Sequence, residues 1–186
     1  MLPSRLKNIQ KILKKFTGAD GEPKNEEELY ILKAMWIMLC AEFEGSIKDL
    51  VESHIDSVKS TKALKDMHVC FLLQNFFGNR EEKTEFSVND MIGLFKRKKS
   101  EINYLNFTRN KKPTYKQFSV ERLFNSLGIF FTEKEIITLK LLDGIASTRD
   151  SISHGDKLIS ITRKQLLEDN IPIVKKVYNM LKRKLK

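Results

Sequence analysis

TEKEIITLKLLDGIASTRDSISHG, from Thr132 to Gly155, reads as one helix with both ends marked. Thr132 is a hydroxyl N-cap, and Glu135 stands where a capping-box carboxylate reaches back to it. Gly155 is the stop signal, because glycine takes the left-handed conformation that closes a helix without a steric cost. On a wheel of about 100° per residue, Ile137, Leu141, Ile145 and Ile152 form an apolar stripe expected to face a core. Nearly opposite lie Asp143, Ser147, Asp150 and His154, spaced four, three and four. Arg149 sits ~140° from His154 and flanks the core side. Its long stem is what would bring the guanidinium back toward the histidine. A charged helix end accounts for this cluster, since a cationic imidazole gains from the dipole at a helix C-terminus. Half of a nuclease site is the other reading, and spacing alone favours the charged end over it.

Outward from this helix the chain keeps the same period. SVERLFNSLG, Ser119 to Gly128, is a short helix with Gly128 as its C-cap. Thr162 and Gln165 repeat the capping pattern for a last helix that closes in KRKLK, and Pro172 is expected to kink or break it. Upstream, the EEE run at Glu26 to Glu28 opens a long helix to about Val58, with the stripe Leu32, Trp36, Leu39, Phe43, Ile47 and Leu50. Gly45 inside it costs roughly 1 kcal/mol against alanine, which points to a close helix crossing there. Helices are also read over about Lys62 to Phe77 and from Ser87, where Asp90 completes a cap-like pair. Leu2, Leu6, Ile9, Leu13 and Phe16 form an apolar face on an N-terminal helix, read as docked on the domain in preference to a membrane surface. TGADGEPKN, Thr17 to Asn25, is its linker. With no strand alternation, repeat or heptad array, the chain reads as an all-α bundle: residues 1–16 an amphipathic helix, 17–25 a linker and 26–186 the bundle core, in one domain of 186 residues.

Composition narrows the partners. The net charge is +10, which favours an anionic partner such as nucleic acid. No run of about 18 apolar residues is present, so no membrane span is expected, and the N-terminus lacks a signal-peptide core. Cys40 and Cys70 lie in apolar runs and read as reduced, buried thiols of a cytoplasmic protein. His54 and His68 sit in apolar helical surroundings and read as core or boundary histidines. No metal-ligand cluster or cofactor motif is found, and Asp143 with Asp150 are too few and too local for a two-metal site. The cluster Lys96, Arg97, Lys98 and Lys99, and the loop with Lys111 and Lys112 near Tyr104, Phe107 and Tyr115, read as RNA phosphate and base contacts or as solvated charge.

ASTRDSISHG, Ala146 to Gly155, resembles the signature of the HEPN superfamily, with Arg149 as its arginine, Asp150 as its polar residue and His154 as its histidine. LCAEFEGSIKDLVESHI, Leu39 to Ile55, is similar to a helix of the RiboL-PSP-HEPN group through Phe43, Glu44, Gly45 and Lys48. The loop and short helix from Asn106 to Gly128 resemble that group's middle section, and the three occur in the family's order. The resemblance implies an up-and-down HEPN-like bundle whose two long helices line a cleft. It also implies a metal-independent endoribonuclease, often a toxin or defence effector, that works as a homodimer with two motifs facing each other. An antitoxin or other system component would be a further partner. Asp150 stands where asparagine is frequent, and Asp156 where HEPN toxins controlled by nucleotidyltransferase antitoxins carry tyrosine. A non-catalytic HEPN module that binds RNA or a partner protein is the alternative, and a structural helical adaptor a third.

The residue types suit RNA cleavage. The 2′-hydroxyl is the nucleophile, so the site needs a base, an acid for the leaving oxygen and positive charge at phosphorus. Histidine serves as acid or base, and arginine clamps phosphate oxygens. Arg149, His154 and Asp150 are therefore the catalytic candidates, Asp150 either orienting His154 or binding the 2′-hydroxyl, or else hydrogen-bonding the cleft wall. Glu44, Ser147 and Lys48 are the supporting ones, Glu44 pairing with Arg149 or, i,i+4, with Lys48. One chain offers one such histidine, and a two-fold dimer through the Arg149–His154 helix offers two.

Overall fold

The computed structural model describes residues 2–18, 22–60, 93, 115–156 and 159–186. The expected helix over 62–77, all of the one from Ser87 but the helical Gly93, the basic residues 96–99 and 111–112, and Tyr104, Phe107, His68 and Cys70 lie outside the described residues. The described elements are α1 (Leu2–Phe16), α2 (Glu26–Ser60), α3 (Gln117–Asn125), α4 (Glu133–Ser153), a π-helical segment (Gln165–Asn170) and α5 (Ile171–Lys184). No strand occurs among the described residues, and the fold is an all-α helical bundle.

Local chemistry sets most helix ends. Asn25 accepts the Glu28 N–H at 2.8 Å and opens α2. Thr132 and Glu135 form a reciprocal capping box at the start of α4. Thr162 and Gln165 form another, at 2.9 and 3.1 Å, before the π segment. Gly128 and Gly155 have φ of 77° and 76°, the conformation in which a side chain would be strained. Around Gly155 the Asp156 N–H reaches the Ser151 carbonyl and the Gly155 N–H that of Ile152, both 3.1 Å, which is a Schellman close.

One core joins the helices. Leu2, Leu6, Ile9 and Leu13 of α1 are buried together with Leu32, Leu39, Phe43 and Ile47 of α2 and Val174, Val177 and Leu181 of α5. Each such side chain contributes on the order of 1.5–3 kcal/mol of transfer free energy, against which ordering entropy stands. Phe16, expected on the buried face, is 53% exposed, and the next residue, Thr17, is the one turned inward as α1 ends. The segment after α1 is tied down: Glu28 accepts the Gly18 and Lys24 N–H groups, and Arg163 donates to the Thr17 carbonyl at 2.8 Å.

Three expectations change. Gly45 faces the Arg5 guanidinium of α1, which lies 3.0 Å from where a Cβ would be and also bonds Glu42 at 3.2 Å and Asp49 at 3.0 Å. The glycine makes room for a charged side chain and not for a second helix backbone. Pro172 does not break its helix. Its ring would clash with the carbonyl four residues back, and the wider π turn over Gln165–Asn170 leads directly into α5. On α4, Ile137 and Leu141 are 63% and 42% exposed, while Leu139, Leu142, Ile145 and Ala146 are buried. The helix is rotated from the expected stripe because it packs against α2, α3 and α5 at once, which favours a broad arc centred on Leu142.

Candidate active site

The site begins with a cap supplied from a neighbour. Lys116, the N-cap of α3, makes no side-chain cap bond, and Asp143 of α4 accepts the Gln117 N–H at 2.9 Å instead. That carboxylate suits the positive end of α3 and pins α3 to α4. Two turns on, along the same face of α4, Asp150 receives what precedes α3. Lys116 Nζ lies 2.8 Å from its Oδ2, and the Tyr115 hydroxyl donates to its Oδ1 at 3.3 Å. Arg149 Nη1 reaches Oδ1 at 3.3 Å, and its guanidinium lies 5.2 Å from the Tyr115 ring centroid. The Lys116 bond, helped by Arg149 and Tyr115 and opposed by desolvation, holds the Asp150 carboxyl below the usual range.

α2 closes the inner side. The buried Trp36 indole donates to the Ile145 carbonyl at 3.0 Å and locks α2 to α4 one turn before Arg149. Cys40 and Glu44, a turn apart on α2, lie within electrostatic reach of Arg149. Burial pushes the Cys40 thiol up to about 12, with the Arg149 cation opposing. Burial also raises the Glu44 carboxyl, again against Arg149. Desolvation pushes the Tyr115 hydroxyl up to about 12, and the adjoining Asp150 carboxylate adds to the rise. Arg149 is thus a half-buried cation among groups that favour it: a carboxylate beside it, an aromatic ring against it, and a second carboxyl within electrostatic reach on α2.

His154 stands differently. It is the C-cap of α4 and exposed, its backbone N–H bonding the Asp150 carbonyl at 2.9 Å. Among the described residues its imidazole makes no hydrogen bond or ion pair. Beside it, Lys33 of α2 donates to the Asp156 carbonyl at 3.4 Å.

The expected residues therefore separate. Arg149 and Asp150 come together, and the Asp150 side chain is engaged by Lys116, Tyr115 and Arg149 and not by His154. Glu44 faces Arg149 electrostatically, without an ion pair at contact distance. Ser147 is exposed, and Lys48 is exposed and lies 3.8 Å from Glu52. His54 is buried on α2, as its apolar surroundings implied. Lys116 is the residue that sequence reasoning missed. The signal was available, since Asp143 and Asp150 repeat at seven residues on one helix face, the spacing that two contacts to one neighbouring segment require.

The described residues contain no group of three His, Cys, Asp or Glu placed to hold a metal ion, and no helix long and apolar enough to cross a membrane. The family model described as RiboL-PSP-HEPN matches residues 2–186. No curated protein and no solved structure matches the chain significantly.

Proposed function

The chain belongs to the RiboL-PSP-HEPN family, and from that premise we propose that it is a metal-independent endoribonuclease whose reacting groups are Arg149 and His154. One observation carries the reading: a half-buried guanidinium held by Tyr115 and Asp150 within electrostatic reach of Glu44, on the same helix end as an exposed imidazole with no partner among the described residues. Arg149, oriented in advance, would bind the scissile phosphate and meet the charge that grows on its oxygens. His154, open to substrate, would move the proton to or from the 2′-hydroxyl or the leaving 5′-oxygen.

Two proton transfers call for two titrating groups, and a second copy of the chain would supply the other histidine. The outward face of α4 supports such a homodimer. Ile137 and Leu141 are exposed there, about two turns and one turn before the open space above Gly144, so a second helix would bury apolar surface along the same helix that carries the motif. In this reading the protein is a cytoplasmic toxin or defence effector, with an antitoxin or other system component as a further partner. The non-catalytic alternative has one observation on its side, since Lys116 and Arg149 already neutralise Asp150 within the chain.

The test is cleavage of RNA in EDTA by the native chain beside His154→Ala, Arg149→Ala and Leu141→Asp. Native cleavage leaving cyclic phosphate ends is expected. The first two substitutions should lower it at least ~100-fold. Leu141→Asp should lower it while turning a dimer into a monomer on sedimentation. Full activity of both motif variants overturns the assignment, and RNA binding by the native chain without cleavage selects the non-catalytic module.

A further inference from the structure

Among the described residues, the unbalanced positive charge is concentrated away from the site just described. α1 carries five Lys or Arg and no carboxylate, and residues 171–186 carry six and none. Those eleven cations exceed the net charge of the whole chain, +10. Arg5 is bound by Glu42 and Asp49, and Lys184 by Glu135 at 2.8 Å. The remaining nine make no ion pair among the described residues.

Packing gathers them on one side. The Arg163 bond to the Thr17 carbonyl ties the end of α1 to the start of the last helical run. The Tyr178 hydroxyl lies against the Leu2 backbone and ties the beginning of α1 to the middle of α5. The two helices therefore run antiparallel and pack on each other. Their apolar faces, Leu2, Leu6, Ile9 and Leu13 against Val174, Val177 and Leu181, are turned into the core, so their cationic faces are turned out. A shallow groove on α1 is lined by Lys7, Gln10, Lys11, Lys14 and Lys15, and one on α5 by Lys176, Asn179, Lys182, Arg183 and Lys186. Neither has an acidic wall. At 1.5 Å per residue the band from Lys14 to Lys7 and on through Lys176 to Arg183 spans on the order of 20–25 Å. Phe16, beside Lys15 with the ammonium 4.9 Å from its ring centroid, exposes an aromatic face at one end.

We propose that this α1–α5 face binds the phosphate backbone of single-stranded RNA. Like charges held together in a fixed row repel one another. A polyanion relieves that repulsion and releases its own counterions, whereas small anions bring no such gain. An anionic membrane offers charge too, but the apolar face of α1 that would insert is already buried in the core. The band lies on α1 and α5, whereas Arg149 and His154 lie at the end of α4, so it would hold long substrate without touching the reacting phosphate. The identification of the polyanion as RNA rests on the nuclease reading above. The binding itself does not.

The test uses the full chain in EDTA, a labelled single-stranded RNA of about 20 nucleotides, and anisotropy at several salt concentrations. Two triple substitutions, Lys7→Gln/Lys11→Gln/Lys14→Gln and Lys176→Gln/Lys182→Gln/Arg183→Gln, are compared with Lys59→Gln/Lys134→Gln/Lys140→Gln elsewhere. Each band variant is expected to weaken binding about tenfold or more and to flatten the salt slope by about 2, while the control does neither. Helicity and melting temperature should stay native, because all six side chains are exposed or half-exposed. Unchanged affinity and slope in both band variants, or equal losses in the control, overturn the proposal. So does binding to phosphatidylserine vesicles that depends on the band while RNA binding does not. Cleavage of a dinucleotide, too short to reach the band, is followed in parallel. If it persists in the band variants while long RNA is released, band and active site are separate. A native chain that cleaves nothing yet binds RNA through the band refutes the nuclease reading and leaves this one standing.

Discussion

Arg149 and His154 lie five residues apart on one helix, yet one is enclosed and the other is open. Arg149 meets α2 on one side and the Tyr115–Lys116 segment on the other, with Asp150 fixing its guanidinium. His154 caps the helix in solvent. The difference follows from where α4 leaves its neighbours. Trp36 still grips it at Ile145, but the Schellman close around Gly155 turns the chain away. A single chain thus prepares the cation and leaves the imidazole to whatever arrives. The enclosed end should answer to changes in the fold, and the open end only to changes in substrate.

The sharpest way to break this contrast is to truncate both residues and follow stability. Arg149→Ala leaves Glu44 half-buried without its cation and removes a donor from Asp150, at a cost of about 1–2 kcal/mol, or roughly 3–6 °C in melting temperature for a chain of this size. His154→Ala should change stability by less than about 0.5 kcal/mol. Equal shifts in thermal unfolding would remove the distinction. A smaller effect is expected at Tyr115. Tyr115→Phe keeps the ring under Arg149 and should retain cleavage within about threefold, whereas Tyr115→Leu loses the cation–π contact, worth about 0.5–1 kcal/mol, and should lower kcat more than it raises KM. Identical kinetics for the two variants would leave the ring without a positioning role. The smallest effect concerns pH. The folded Asp150 carboxyl lies below its unfolded value, so the stability it adds is present above the ordinary carboxylate range and is lost as pH falls through the depressed value. Lys116→Met removes the largest cause, and the Asp150 titration followed by carboxyl NMR should move up. A titration that stays in place would assign the shift to Arg149 and Tyr115.

Much of α4 was legible in advance. Its cap at Thr132, its end at His154 and its stop at Gly155 all depend on hydrogen bonds within a few residues, so the residue types announce them. The same holds for the box at Thr162 and Gln165 and for the buried face of α1 up to Leu13. What eluded the sequence involved a distant partner. Gly45 suited a crossing helix equally well, and only the fold put Arg5 there. Asp143 and Asp150 read as part of one polar stripe with Ser147 and His154, and only the approach of α3 made one of them a cap and the other an anchor for Lys116 and Tyr115.

The sequence by itself determined the helical class, the capped ends of α4 and the pairing of an arginine with a histidine at one helix end, because periodicity and capping act over one or two turns. The tertiary structure decided which arc of α4 is buried, that Ile137 and Leu141 remain outside, and that Arg149 is enclosed while His154 is not. α4 offers two apolar arcs of similar strength, and the choice between them rests on the fit of α2, α3 and α5 around Leu142. Burial is a property of the surface a residue meets, and that surface is made by other helices of the chain, before and after α4.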